Sequence, residues 1–159
     1  MDRNETRLVD LIDRGGIYRD IRGSTPREVL AALAAALPPN LSVQGQKLLE
    51  AVMEREALMS TGIGKGIALP HPRNPMAGEE SGQFAAIAFL EKPVDWNSLD
   101  DEPVHTLILI VSASAKLHLQ ILSQINYFCG QDDFRLLLGK RAGKEELLGF
   151  IGETEKNWE

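Results

Sequence analysis

The chain has 159 residues, 43% of them hydrophobic and 25% charged, a length and composition that allow one domain with a buried core. Its 17 basic and 23 acidic residues give a net charge of −6 without a local cluster of lysine or arginine, which argues against a nucleic-acid-binding surface. No apolar run is long enough to cross a bilayer, and the charged start at residues 1–6 lacks the features of a signal peptide, so we expect a cytoplasmic protein without membrane insertion.

The first third of the chain predicts three helices and one strand. An amphipathic helix with Leu8, Leu11 and Ile12 on one face should end at Gly15-Gly16, and residues 17–21 are predicted to form a strand. The run Thr25-Pro26-Arg27-Glu28 is typical of a helix start, because threonine can cap the helix, proline suits its first turn and glutamate completes the capping box. That helix should stop at Pro38-Pro39, and a third helix is predicted from about residue 43 to residue 58.

The second half predicts two buried strands followed by helices. Residues 84–90 and 104–111 are apolar enough for the strands, and helical periodicity resumes at Leu117, Ile121, Ile125 and Phe128. Cys129 continues this helical pattern and is expected to be a small buried hydrophobe, and shorter helices are predicted at 132–138 and 144–151. We therefore expect a single three-layer α/β domain over residues 1–159, with helices flanking a mixed β-sheet, because some connections suit hairpins and others contain whole helices.

The most informative segment runs from residue 55 to residue 71 and reads REALMSTGIGKGIALPH. Its three alternate glycines remove side chains, so the backbone can bend sharply and bring its N–H groups close to an anion. Histidine is abundant in its neutral form near neutral pH, which leaves one ring nitrogen free to act as a nucleophile. Together these features suggest that His71 carries a phosphoryl group.

This segment closely resembles the signature of the fructose/mannitol/nitrogen-type enzyme IIA domains of the bacterial phosphoenolpyruvate phosphotransferase system. In that family an Arg-Glu, a Ser-Thr-Gly-Ile-Gly-x-Gly-Ile-Ala and a Pro-His recur in order, and here they are Arg55-Glu56, residues 60–68 and Pro70-His71. Counterparts of other family segments, such as residues 93–96 and 118–123, extend the resemblance over nearly the whole chain. The resemblance implies an enzyme IIA fold and a phosphocarrier activity, a phosphotransferase component that needs no cofactor.

The resemblance also implies the parts of the active site. His71 would accept the phosphoryl group, and His118, 47 positions later, would hold His71 or its phosphate by hydrogen bonding. Arg55 would add a bidentate, permanently charged contact. The hydroxyls of Ser60 and Thr61, with the backbone at Gly62, are further candidate donors to the phosphoryl oxygens.

Each of these residues also has a simpler interpretation. The glycines can serve only to make turns, Ser60 and Thr61 can satisfy loop backbone, and Arg55 can pair with Glu56. His105 matches no family signature, so we expect a structural or surface role for it. The chain has Pro72 after the phosphorylatable histidine where smaller residues are common, and Gln120 where a further histidine is often found.

Other site classes find little support in the sequence. The histidines and acids lack the His-Glu-x-x-His spacing of a zinc enzyme, and there are no paired cysteines, so no metal site is predicted. The glycine-rich segment lacks the spacing of a nucleotide-binding Walker motif, so ATP is not implied.

The predicted partners follow from the resemblance. A small histidine phosphocarrier protein, similar to HPr, would donate the phosphate. We favour the nitrogen-type regulatory branch, which acts by binding a regulatory target protein, because no membrane segment or fused sugar-binding partner is present. The alternatives are a sugar-transport enzyme IIA that passes phosphate to a separate permease IIB component, and a non-catalytic interaction domain on the same fold.

Overall fold

The computed structural model describes residues 7–158 of the chain, so the charged start that bears on a signal peptide lies outside the described residues. The helices are α1 (Leu8–Gly15), α2 (Pro26–Ala36), α3 (Gly45–Glu56), α4 (Ala115–Cys129), α5 (Asp132–Gly139) and α6 (Lys144–Lys156). The strands are β1 (Ile17–Ile21), β2 (Gly62–Gly64), β3 (Ile67–Ala68), β4 (Phe84–Val94) and β5 (Val104–Val111). Within the described residues, no helix is long and apolar enough to span a membrane.

The five strands form one mixed sheet in the order β1-β4-β5-β3-β2. β4 and β5 form an antiparallel pair at its centre, while β1 runs parallel to β4 and β3 runs parallel to β5. β2 closes the opposite edge by pairing antiparallel with β3. The predicted mixed sheet is confirmed.

Helices cover both faces of this sheet, which confirms the predicted three-layer α/β architecture. Alternate residues of β4 point to opposite sides: Ala86, Ala88 and Leu90 pack in a core with α2 and α3. Ala85, Ile87 and Phe89 pack in a second core with α1, α4, α5 and α6. Burial on both faces explains why β4 and β5 read as continuous apolar runs in the sequence.

The ends of the helices follow local capping chemistry. Thr25 caps α2, since its side-chain oxygen accepts the backbone N–H of Glu28 at 3.1 Å. α2 ends at Ala36 because Leu37 precedes a proline and adopts an extended backbone (φ −67°, ψ 139°). α3 is shorter than predicted by about two residues at each end, and α6 extends five residues beyond the predicted Ile151.

The glycine-rich segment forms a tight β2–β3 hairpin where we expected a loop. Lys65 and Gly66 turn the chain with positive φ angles of 59° and 82°. A Cβ on Gly66 would lie 2.4 Å from the ring of His105 on the neighbouring strand β5, so glycine is required for close packing there. Strands of three and two residues are too short to show a periodic pattern in the sequence.

Candidate active site

His71 follows the hairpin, and backbone hydrogen bonds fix the segment that carries it. The backbone N–H of Leu69 donates to the carbonyl of Thr61 at 3.0 Å, and the N–H of Ile110 in β5 donates to the carbonyl of Pro70 at 3.0 Å. The two residues before His71 are therefore tied to the loop before β2 on one side and to the central sheet on the other.

A backbone carbonyl determines which ring nitrogen of His71 is available. Nδ1 of His71 lies 2.9 Å from the carbonyl oxygen of Leu69. Because a carbonyl can only accept, Nδ1 carries the proton and Nε2 of the neutral ring keeps its lone pair. Burial, and to a smaller extent the charge of Arg55, lowers the pKa of His71 against the opposing effect of the Leu69 carbonyl. His71 is thus a neutral imidazole with a free Nε2 near pH 7.

His118 meets His71 from the first turn of α4. The centroids of the two imidazole rings are 4.6 Å apart, and the ring planes are inclined at 44°. Burial lowers the pKa of His118 to about 4, with further contributions from His71 and Arg55. Nδ1 of His118 lies 3.3 Å from the hydroxyl of Ser112, the residue that follows β5. His118 is therefore also neutral near pH 7.

The two histidines share a cavity of about 250 Å³ that has two arginines in its wall. Its other lining residues are Pro72, Pro75, Ser112, Ala115 and Leu119. Arg55 is held by donating from Nη1 to the carbonyl of Met59 at 2.6 Å, and the exposed Arg73 pairs with Glu54 at 3.6 Å. Over residues 7–158, no carboxylate lies within ion-pair distance of Arg55, so its charge is available to an anion in the cavity.

The predicted donors Ser60, Thr61 and Gly62 do not line this cavity. Ser60 donates its hydroxyl to the carbonyl of Trp96 at 2.5 Å and accepts the N–H of Gly62 at 3.1 Å. Thr61 donates its hydroxyl and its N–H to the two carboxylate oxygens of Glu56, at 2.7 and 2.8 Å. These groups support the loop that carries His71, and their direct contact with a phosphoryl group stays a prediction.

The sequence pattern assigned no role to several residues of the cavity. Ser112 and Leu119 flank His118 in the structure, yet neither belongs to the glycine-rich motif. Their position was the available signal, since Ser112 follows a buried strand and precedes a helix, and functional side chains collect where strands end. The buried Pro72 lines the cavity directly, whereas Gln120 is exposed and does not line it.

A larger cavity, of about 580 Å³, lies beside His105. Its wall mixes both signs of charge, with Lys65 and Arg135 near Asp100 and Glu102. Among residues 7–158 there is no group of three or more histidine, cysteine or acidic side chains that could hold a metal ion. Cys129 is buried, and burial raises the pKa of its thiol to about 12, so it is unreactive near neutral pH. The smaller cavity, which joins two neutral histidines and two arginines, is therefore the candidate active site.

The family model described as "Phosphoenolpyruvate-dependent sugar phosphotransferase system, EIIA 2" matches residues 10–154. The chain belongs to this EIIA family. A nitrogen regulatory protein of Pseudomonas aeruginosa is 33% identical over 152 residues, which cover 94% of this chain and 97% of that protein. A nitrogen regulatory protein of Escherichia coli is 34% identical over 161 residues, which cover 98% of this chain and 96% of that protein. Sugar-specific relatives also match: the fructose-specific EIIABC component of Bacillus subtilis is 26% identical, covering 94% of this chain and 24% of the larger protein.

Solved structures share the fold of this EIIA chain. The nitrogen regulatory protein IIA-Ntr of Neisseria meningitidis superposes with a TM-score of 0.78 at 23% identity, covering 91% of this chain and 98% of that one. Enzyme IIAMtl of Escherichia coli, solved in complex with phosphorylated enzyme IIBMtl, gives a TM-score of 0.67 at 15% identity, covering 86% and 94%. At these identities the structures establish the α/β fold.

Proposed function

We propose that this EIIA chain is a regulatory phosphocarrier that accepts a phosphoryl group on Nε2 of His71 from a small histidine phosphocarrier protein similar to HPr. The observation that carries the proposal is the contact between Nδ1 of His71 and the Leu69 carbonyl, which leaves Nε2 as the nucleophile. Membership of the EIIA family supports a phosphotransfer role for the chain in general. The identity of the acceptor atom is our inference from the geometry.

The proposed transfer needs no cofactor. The Nε2 lone pair of His71 forms the new P–N bond while the P–N bond to the donor's phosphohistidine breaks. The bonding electron pair returns to the donor nitrogen, and a donor ring protonated on its other nitrogen leaves as neutral imidazole. His71 keeps its Nδ1 proton, which remains hydrogen-bonded to the Leu69 carbonyl, so the phosphorylated ring is an imidazolium. The protein's contribution is to align the ring and to stabilise the charge of the transferred group.

Two side chains are placed to provide that stabilisation. Arg55 and His118 line the cavity beside His71, and Arg55 supplies a permanent positive charge. His118 is neutral before transfer because burial, His71 and Arg55 lower its pKa. The phosphoryl oxygens carry about −1.5 to −2 charges, and the cationic His71 ring offsets only part of this, so the added negative charge favours a proton on His118 after transfer. The site therefore begins with neutral histidines and gains a counter-charge with the phosphate.

The comparisons support a regulatory receiver for the phosphate signal. The nitrogen regulatory relatives match this chain along nearly their entire length at 33% and 34% identity. The sugar-specific relatives match less closely or over less of the chain: the EIIABC component is 26% identical, and a fructose-specific EIIA component of Haloferax volcanii is 32% identical over 67% of this chain. We infer that phosphorylation of His71 changes the affinity of this face for a regulatory target protein by altering its charge.

The proposal is tested by incubating the protein with phosphoenolpyruvate, enzyme I and a matched HPr-like carrier, and measuring intact mass. Wild type should gain one acid-labile phosphate, and His71→Gln should gain none. A known enzyme IIA labelled in parallel shows that the donors are active. Wild type that stays unlabelled with every matched carrier would show instead a non-catalytic binding domain.

A second step separates regulation from sugar transport. The phosphorylated protein is mixed with purified fructose-type IIB domains, and the phosphate on each protein is measured with time. Retention of the phosphate on the EIIA chain supports the regulatory role. Rapid passage to a IIB domain would establish the sugar-transport alternative. A IIB domain is a suitable acceptor to test, since enzyme IIAMtl of Escherichia coli has been solved in complex with phosphorylated enzyme IIBMtl.

A further inference from the structure

Ser112 occupies a junction that connects the second histidine to the segment after the first. Its hydroxyl oxygen lies 3.3 Å from Nδ1 of His118, and among residues 7–158 this is the one hydrogen bond of that hydroxyl. Its carbonyl oxygen accepts the backbone N–H groups of both Met76 and Ala77, each at 3.1 Å. One residue therefore contacts His118 with its side chain and the segment following His71 with its backbone.

The junction is held in place by a buried polar side chain. Ser112 itself has 4% of its surface exposed. The next residue, Ala113, donates its N–H at 2.9 Å to the side-chain oxygen of Gln83, which is fully buried. The Gln83 side chain makes this one hydrogen bond, since its Nε2 has no partner among residues 7–158, while the Ser112 carbonyl has two. These bonds resist displacement of the backbone at the junction, because each lost hydrogen bond leaves a buried group unsatisfied. The Ser112 hydroxyl is thus a fixed reference point for the ring of His118.

We propose that Ser112 is a positioning residue that donates its hydroxyl hydrogen to Nδ1 of His118 and so places the single proton of the neutral ring on Nε2. A hydroxyl can donate or accept, but among residues 7–158 this buried hydroxyl has no other acceptor, so accepting from Nδ1–H would leave its own hydrogen unpaired. This inference rests on the proposed phosphocarrier function. A neutral imidazole carries one N–H, and a phosphoryl oxygen can only accept. His118 therefore assists transfer as a neutral donor only in the tautomer protonated on Nε2. This is the tautomer in which Nδ1 carries no proton and can accept the hydrogen of the Ser112 hydroxyl.

A hydroxyl suits this position better than a fixed donor or a fixed acceptor. When His118 takes up a second proton after phosphorylation, Nδ1–H becomes a donor, and the serine hydroxyl rotates to accept it. The hydrogen bond is kept in both protonation states of His118. A backbone carbonyl, such as the one that holds His71, would fix the opposite tautomer, with the lone pair on Nε2.

The first test reads the tautomer of His118 directly. Nitrogen-15 NMR of the unphosphorylated protein, assigned with His118→Gln, should show Nδ1 without a proton and Nε2 with one at pH 7.5. In Ser112→Ala the Nδ1 resonance should move downfield, towards the position of a ring nitrogen that accepts no hydrogen bond. A protonated Nδ1 in wild type would overturn the proposal, and so would an Nδ1 resonance that does not respond to Ser112→Ala.

The second test measures phosphoryl transfer to His71. Ser112→Ala should accept phosphate about five- to tenfold more slowly than wild type, the effect of one net hydrogen bond. Ser112→Thr, which keeps the hydroxyl, should restore the rate. If the added methyl group prevents folding, Ser112→Cys replaces it, and its weak S–H donor should give an intermediate rate.

The matched control is Thr25→Ala, which removes one side-chain hydrogen bond at the start of α2. It should lower the melting temperature and leave the transfer rate of the folded protein unchanged. Equal rate losses in Thr25→Ala and Ser112→Ala would reduce Ser112 to a structural role and overturn the proposal. Failure of the phosphocarrier function looks different: wild type itself takes no phosphate, while the Nδ1 resonance of His118 still responds to Ser112→Ala.

Discussion

Two cavities of this protein contain a half-buried histidine, and their differences show what makes a histidine a candidate phosphate acceptor. His71 and His105 both have a lowered pKa, mainly because of burial. Nδ1 of His71 contacts the Leu69 carbonyl, whereas Nδ1 of His105 lies 2.7 Å from the hydroxyl of Thr106. A carbonyl can only accept, so it leaves the lone pair of His71 on Nε2, whereas a hydroxyl can also donate to Nδ1 and occupy the ring lone pair; the free nitrogen of His71 is therefore the better defined nucleophile.

The charges around the two histidines differ as well. The cavity of His71 has Arg55 and Arg73 in its wall. The cavity of His105 is more than twice as large, yet it mixes cations with the carboxylates of Asp100 and Glu102. An incoming phosphoryl group meets favourable charge at the first cavity and opposed charges at the second. Tautomer and sign of charge therefore identify the site better than the volume of the cavity does.

The largest expected effect separates the two histidines outright. His71→Gln should abolish phosphate incorporation because the nucleophile is removed, while His105→Gln should keep one phosphate per chain. Intact mass before and after mild acid treatment measures both variants. Labelling of His71→Gln at the wild-type level would show that another residue accepts the phosphate.

The next effect compares an arginine from each cavity. Arg55→Ala should slow phosphoryl transfer about a hundredfold, since one well-placed donor to a developing anion contributes about that much. Arg135→Ala, in the cavity of His105, should transfer at the wild-type rate once its folded fraction is taken into account. Single-turnover kinetics with phosphorylated carrier give both rates. An equal loss of rate in the two variants would mean that Arg55 is not the residue whose positive charge stabilises the transferred group.

A third comparison concerns the hairpin that packs on His105. Gly66 and Gly78 have φ angles of 82° and 83°, but a Cβ meets the His105 ring only at Gly66. Gly78→Ala should lower the free energy of unfolding by about 1–2 kcal/mol, the cost of the left-handed backbone. Gly66→Ala should cost about 1–3 kcal/mol more because of the clash. Urea denaturation measures the unfolding free energy of both variants. An equal loss in the two would mean that the ring of His105 moves aside without an energetic cost.

The smallest expected effect is on the pH dependence of stability. A lowered histidine pKa means that below pH 6.5 the unfolded chain binds protons that the folded chain does not. Stability contributed by the neutral histidines is complete above pH 6.5 and is lost as the pH falls towards 4, the pKa of His118. His118→Gln should reduce this loss more than His105→Gln. The midpoints of urea unfolding, measured between pH 7.5 and pH 4.5, test this difference. The same change of midpoint with pH in both variants would contradict it.

Much of the architecture was predictable because its determinants are local. The cap at Thr25, the stop before Pro38 and the two buried strands follow from residue types within a few positions of each other. The β2–β3 hairpin was missed because it is stabilised by pairing with β5, a strand that lies about 40 residues later. Packing between distant strands leaves no periodic signal in five residues.

The candidate site was predictable in part for the same reason. The Arg-Glu, glycine-rich and Pro-His elements indicated His71 and Arg55, and the structure places both beside one cavity. Ser60 and Thr61 belong to the same run, yet their hydroxyls bind Trp96 and Glu56. Which direction a loop side chain takes depends on the acceptors that folding brings near, and the motif does not encode those.

The sequence by itself determined the family of the protein and indicated the histidine on which its proposed chemistry depends. The motif and the apolar strands are local patterns, and a local pattern specifies backbone geometry and the chemistry of a side chain. Only the tertiary structure decided that the ring of His118 lies 4.6 Å from that of His71 and that Ser112 contacts it. Those contacts join the end of β5, the start of α4 and the segment after β3, and they exist because the sheet packs these ends together.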